Sequence, residues 1–186
     1  MGTVPPYPLS QKGVTLIELV SVVSVIGVLI GALGFSFEGW RSCYRVECQI
    51  KEIYIDLMNA RARAMGRNRI HFVALRKTQY TVYEDTNPGN DGNGTLEAGV
   101  GGDSQVNQKN IDSRYPIIWN GTGSQIKFTG RGLSNVNKTI CSNTDFEVDA
   151  DYDCIVISAT RINMGKLKKM IKDGGKCAAT TNCVAK

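Results

Sequence analysis

Residues 12–20 read Lys-Gly-Val-Thr-Leu-Ile-Glu-Leu-Val, and they open a segment in which residues 19–37 carry no charged side chain. Three interpretations fit such a segment: a cleaved secretory signal ending near Ala32-Leu33-Gly34, a plain membrane anchor, or a helix in which the acid Glu18 has a functional role. A secretory signal has no use for an acid, and a carboxylate at the centre of a bilayer costs roughly 2.5–3.5 kcal/mol. Glu18 is therefore the first candidate functional residue.

The same stretch resembles the processing site of the type IV pilin and type II secretion pseudopilin superfamily, usually written Lys-Gly followed by Phe-Thr-Leu-Ile-Glu. Val14 stands where that pattern has Phe. The resemblance implies that a prepilin peptidase cuts between Gly13 and Val14 on the cytoplasmic side, removes leader residues 1–13, and leaves an amine on Val14 that is N-methylated. It also implies a single-pass protein of the bacterial inner membrane. Its N-terminus would be cytoplasmic, as Lys12 favours, and its C-terminal domain periplasmic.

After such a cleavage Glu18 lies about 6 Å along a helix from the Val14 amine, at about 1.5 Å per residue. In a helical stack of subunits each Glu18 can pair with a neighbour's N-terminal amine, and this pairing sets the axial register. The implied partners are other pilins or pseudopilins, bound through the N-terminal helix, the prepilin peptidase and the inner-membrane assembly platform. Gly27 and Gly31 indicate either close helix approach or ordinary glycine enrichment of membrane helices.

Beyond Trp40 the apolar residues follow a helical spacing and leave the other faces charged. One helix is predicted from near Val14 to about Gly66, and the fold class is α+β: a long N-terminal helix packed on a C-terminal antiparallel β-sheet domain, the lollipop of pilins. The predicted parts are the leader 1–13, a transmembrane or filament-core helix 14–39, an amphipathic helical half 40–69 and a β-rich periplasmic domain 70–186. The predicted buried helix face contains Val46, Ile50, Ile53, Leu57, Ala60 and Ala64.

From Ile70 the apolar residues alternate with a period of two, which is typical of strands. Residues 70–75 and 80–83 predict a hairpin that turns near Lys77. A Gly/Asn-rich loop is predicted from Asp85 to about Asn110, and its spacing does not match an EF-hand, so no metal is expected there. Further strands are predicted at residues 115–119, 125–129, 139–141 and 154–158, the last of them central.

This order of segments, with Ala-Arg-Ala-Arg-Ala at residues 60–64 and Ile-x-Phe-x-x-x-Gly at residues 126–132, resembles the GspH/FimT group of minor pilins and pseudopilins. Some members bind DNA through a Gly-Arg-x-Arg motif, of which residues 160–163 keep one Arg. The lysines that follow predict a basic C-terminal tail, with solvation as the favoured interpretation and DNA or surface binding as the alternative. The candidate nucleic-acid contacts are Arg161, Lys166, Lys168 and Lys169.

Six cysteines behind an apolar segment indicate disulfides in an oxidising compartment. The preferred pairs are Cys141 with Cys154 and Cys177 with Cys183, although six cysteines allow 15 connectivities. Cys43 and Cys48 are five residues apart on one predicted helix. That spacing is too wide for a mutual bridge unless the helix breaks, so otherwise they pair elsewhere.

Composition argues against catalysis. The formal net charge of +5 does not by itself indicate nucleic-acid binding. The sequence has a single His, His71, which argues against a catalytic triad or a metal site, because that one residue would have to serve every such role. No zinc or haem motif is present. The sequence therefore predicts a structural filament subunit without a cofactor, in a type IV pilus or a type II secretion pseudopilus.

Overall fold

The structure, a computed structural model, describes residues 13–89 and 92–186, and of residues 32–38 it describes the backbone alone. Most of the predicted leader, the loop positions 90–91 and the side chains of Ala32 and Leu33 at the alternative cleavage site therefore lie outside the described part of the chain. The chain divides into two units, Met1–Gly39 and Trp40–Lys186. Helix α1, Leu16–Arg67, contributes to both units and agrees with the predicted bounds. Within the described residues, no helix combines the length and the apolar character that crossing a membrane requires.

The strands of the second unit are β1 His71–Arg76, β2 Gln79–Glu84, β3 Ser104–Asn110, β4 Ile117–Trp119, β5 Gln125–Phe128, β6 Lys138–Ser142, β7 Cys154–Ile157, β8 Ile162–Leu167 and β9 Cys183–Ala185, with a 3-10 helix at Ile171–Asp173. These strands form two antiparallel sheets. The first has the strand order β3-β2-β1-β5 and the second the order β4-β6-β7-β8-β9. β7 is therefore central in its sheet, as predicted.

The predicted face of α1 is the centre of the core. Its six apolar side chains are each at most 1% exposed, and they join one cluster with the inner residues of both sheets, such as Val73 and Ile155. A polar contact adds to this packing, because the carboxylate of Asp56 accepts a hydrogen bond from the Tyr80 hydroxyl at 2.6 Å. Burial is the main cause that raises the pKa of Tyr80, and Asp56 adds to it.

One predicted loop and the predicted C-terminal tail are wrong in part. The loop predicted from Asp85 to about Asn110 ends earlier, because residues 104–110 form β3 and pair along β2. β3 is an edge strand of mainly polar, exposed residues, so no apolar alternation marks it. The predicted basic tail is not a tail: residues 162–167 form β8, which pairs with β7, and the chain returns as β9 against β8.

The preferred disulfide pairing is also wrong. Cys141 is bonded to Cys177 and Cys154 to Cys183, so both bonds tie the β6–β7 pair to the C-terminal segment. Cys141 and Cys154 lie directly opposite each other on neighbouring strands, but each bonds to a different partner. Cys43 and Cys48 both lie in α1, and neither is in a disulfide among the described residues.

Candidate functional site

The start of α1 carries the predicted processing and assembly residues. Thr15 precedes the helix, and its hydroxyl accepts a hydrogen bond from the backbone N–H of Glu18 at 3.3 Å, while its carbonyl accepts the N–H groups of Glu18 and Leu19. Thr15 thus caps the helix, and Glu18 lies in the first turn, where a negative charge complements the helix dipole. The sequence Thr-x-x-Glu at residues 15–18 is the local signal for this cap.

The large apolar side chains from Leu16 to Ile30 are exposed on all sides of the helix. Their exposed fractions run from 48% at Val20 and Ile26 to 81% at Leu16. The hydroxyls of the two serines in this segment form hydrogen bonds within the helix. Ser21 donates to the carbonyl of Glu18 and Ser24 donates to the carbonyl of Val20, both at 2.8 Å. From Leu16 to Ile30 the helix therefore presents a mainly apolar surface, which is unfavourable in water.

Gly27 and Gly31 share this exposed segment. A Cβ atom built on either glycine meets nothing within 4 Å in the described part of the chain. Their small size therefore serves no contact within the described residues, and the two interpretations of the Gly-x-x-x-Gly spacing both stay predictions.

The four candidate nucleic-acid contacts lie at the two ends of β8, with Arg161 before the strand and the three lysines at or after its end. Lys166 forms an ion pair with Asp149 at 2.6 Å, and that carboxylate raises the pKa of Lys166. Arg161 precedes β8 and Lys166 lies near its end, so the two residues are roughly 16 Å apart along the chain direction of the strand. Lys168 and Lys169 are exposed and have no ion pair among the described residues. DNA binding by this segment stays a prediction.

His71 is completely buried at the start of β1. Its Nδ1 lies 3.4 Å from the carbonyl of Arg69, and its Nε2 has no hydrogen-bond partner in the described residues. Burial lowers the pKa of His71, so the ring is neutral near pH 7. Within the described residues no group of three or more His, Cys, Asp and Glu could hold a metal ion.

One cluster of basic side chains joins segments that are distant in sequence. Arg61 of α1 donates to the carbonyl of Thr160 at 2.9 Å, which brings it beside Arg161. A Cβ atom built on Gly132 would lie 3.3 Å from Nε of Arg61, so the turn that carries Arg131 meets the same point. We call Arg61, Arg131 and Arg161 the arginine end. No local sequence signal links these three residues.

The comparisons with known proteins agree with this architecture. The family described as type II transport protein GspH matches residues 49–160, which is more than half of the chain. The chain belongs to the GspH family. Membership confirms the predicted superfamily and gives this GspH-family protein the structural role of a minor pilin or pseudopilin in the cell envelope. The match includes the buried face of α1 from Ile50 onward and ends before β8, so the C-terminal segment lies outside it.

Solved structures resemble the fold of this GspH-family chain at low sequence identity. The minor pseudopilin EpsH from the type II secretion system of Vibrio cholerae is 10% identical, with a TM-score of 0.50 over 64% of this chain and 95% of the EpsH chain. The type IV minor pilin FimU of Pseudomonas aeruginosa is 16% identical, with a TM-score of 0.49 over 67% of this chain and 91% of the FimU chain. The EpsH likeness confirms the α+β fold class. No curated protein matches the sequence.

Proposed function

We propose that this GspH-family protein is a filament subunit that a prepilin peptidase cuts between Gly13 and Val14 and that joins its filament through the N-terminal helix. The observation that carries the proposal is the exposure of large apolar side chains all around α1 from Leu16 to Ile30. Each such side chain gains roughly 1.5–3 kcal/mol when it is fully buried, so the exposed state of this segment is strongly unfavourable in water.

A membrane and a filament core can cover this surface in turn. Before assembly, residues 14–39 lie in the inner membrane as a single span, with the cleavage site on the cytoplasmic side and the second unit in the periplasm. The uncharged stretch from residue 19 to residue 37 supports this placement. After extraction by the inner-membrane assembly platform, the helices of neighbouring subunits cover the same surface. The family's description as a type II transport protein supports a pseudopilus as the first filament to test.

Glu18 then determines the axial register. Glu18 lies about one helical turn from the new N-terminus, and it forms no ion pair with any of the described residues. An N-terminal amine of the neighbouring subunit supplies the missing positive charge, and both charges gain from pairing away from water. The role requires no catalytic group in this chain, because the covalent chemistry is carried out by the peptidase.

Intact mass of the membrane-extracted protein tests the processing. The mass is expected to show loss of residues 1–13 and the addition of one methyl group, which the proposal assigns to the Val14 amine. Retention of the leader, or cleavage after Gly34, would refute the proposal.

Glu18→Ala tests the register. We expect cleavage after Gly13 to continue, because the peptidase acts before assembly, while incorporation into filaments falls at least about tenfold for the lost charge pair. The matched control is Glu47→Ala, which removes an acid from the same helix that pairs with Lys51 inside the chain. Glu47→Ala should assemble normally. Normal incorporation of the Glu18→Ala protein would contradict the register role.

A further inference from the structure

Opposite ends of the second unit carry unpaired charges of opposite sign. The arginine end lies beside residues 61–65 of α1. At the other end, the connection between β6 and β7 passes Val46, since Val46 and Val148 line the same small cavity. Val46 and Arg61 are separated by about 22 Å along the helix, at about 1.5 Å per residue. The two ends are therefore well separated in space.

The acidic end is a loop with two free carboxylates. We call residues 145–147, Asp-Phe-Glu, the acidic loop. Asp145 and Glu147 are exposed and have no ion pair or hydrogen bond from their side chains among the described residues, whereas the later acids Asp149 and Asp151 pair with Lys166 and Lys186. Phe146 packs edge-on against Tyr115 but stays 37% exposed. The loop thus offers an apolar ring between two negative charges.

The arginine end has the complementary pattern. Arg131 and Arg161 are exposed without an ion pair in the described part of the chain, and Nε of Arg61 is buried without a hydrogen-bond partner. The neighbouring arginines Arg67 and Arg69 differ, because both pair with Glu84. Met65 and Leu133 lie beside the arginine end, and their side chains are 47% and 41% exposed. An apolar centre between positive charges matches an apolar ring between negative charges.

We propose that the arginine end of one copy of this chain binds the acidic loop of a second copy, end to end. Carboxylates of Asp145 and Glu147 then pair with guanidinium groups at positions 131 and 161, and Phe146 covers Met65 and Leu133. Because the two surfaces differ, the contact is heterologous, and each copy of a joined pair keeps one free end. The inference rests on the proposed assembly function and names one of its partners.

Charge reversal on each surface tests the contact with the full-length protein in detergent. Arg131→Glu with Arg161→Glu, and separately Asp145→Lys with Glu147→Lys, should each weaken self-association at least about tenfold in sedimentation measurements at low salt. An equal mixture of the two variants should restore association, since the reversed surfaces attract each other. This mixing arm separates the contact from any association through the apolar helix. All four side chains are exposed, and circular dichroism should show unchanged folding of each variant.

Lys168→Glu with Lys172→Glu is the matched control, because it reverses two exposed, unpaired positive charges outside the arginine end. This control should not weaken association. The inference is overturned if the control weakens association as much as the arginine variant, if either test variant associates like the wild type, or if the mixture is not restored. It is also overturned if the arginine variant loses only salt-dependent binding to duplex DNA, which would assign that end to nucleic acid. Cleavage after Gly13 is scored separately and tests the proposed function alone.

Discussion

Asp153 and His71 are buried groups whose titration acts on stability in opposite directions. Burial is the main cause that raises the pKa of Asp153 to about 6, against the hydrogen bond that its carboxylate accepts from the N–H of Leu167. Its contribution to stability is therefore complete below the usual value of 3.8 and is lost as the pH rises through about 6. Burial lowers the pKa of His71, so stability falls as the pH drops below 6.5.

Asp153→Asn separates these effects. The amide oxygen can still accept the N–H of Leu167, but the side chain no longer titrates. The quantity to compare is the free energy of unfolding of the variant minus that of the wild type. We expect this difference to be about 2 kcal/mol more positive at pH 7.5 than at pH 4, because a shift of one pKa unit is worth about 1.4 kcal/mol. Denaturant unfolding at the two pH values measures the difference, and His71 cancels in it.

Asp151→Asn is the control for this measurement. Asp151 is exposed, and its ion pair with Lys186 lowers its pKa, so its removal should change stability in the opposite sense and only weakly. A difference for Asp153→Asn that does not vary with pH would contradict the expected direction.

At the scale of the element, β9 depends on a residue without a side chain. Gly165 of β8 lies opposite Ala185, and a Cβ atom built on it would lie 2.4 Å from the carbonyl oxygen of Val184. That atom belongs to backbone, which cannot rotate away. The close approach of β9 brings Cys183 within reach of Cys154, whose strand is separated from β9 by β8 in the sheet order.

Gly165→Ala is therefore expected to displace β9 and to destabilise the protein by roughly 1–3 kcal/mol, the usual cost of overpacking. Faster hydrogen exchange of the Lys186 amide, which donates to Met164, would report the displacement. Gly66→Ala is the matched control, because a Cβ atom there meets nothing within 4 Å and alanine favours a helix. Equal stability of the two variants would contradict the packing argument.

The disulfide pattern gives a second prediction at this scale. A non-reduced digest should yield peptides that join Cys141 to Cys177 and Cys154 to Cys183. Removing the second bond with Cys154→Ala and Cys183→Ala should cost about 3–4 kcal/mol for a closed loop of this size. Peptides that join Cys141 to Cys154 would contradict the pairing.

At the scale of the whole molecule, the core belongs to the second unit. The main apolar cluster, with the partly buried residues packed on it, begins at Cys43. Because these contacts lie within Trp40–Lys186, we expect a fragment of residues 40–186 to fold without the first unit and to dissolve without detergent. Circular dichroism and thermal unfolding should show a cooperative transition close to that of the full chain. A fragment without a cooperative transition would contradict this division.

The sequence by itself determined the features that depend on neighbours along the chain. The residues around Glu18 form a linear motif, and one face of α1 repeats apolar residues at helical spacing, so both could be predicted without the fold. Local alternation likewise predicted the β1–β2 hairpin and the central β7. In these segments the physical signal, a period of 3.6 or 2 residues, is written in the order of side chains.

Only the tertiary structure decided the features that join distant segments. β3 is polar and pairs at a sheet edge, so its backbone hydrogen bonds define it while its side chains carry no pattern. Cys154 bonds to Cys183 because Gly165 lets β9 approach, and spacing in sequence favoured a different pair. The arginine end arises where α1 and two turns meet. Long-range contacts of this kind follow from packing and chain reversal, which single-sequence periodicity does not record.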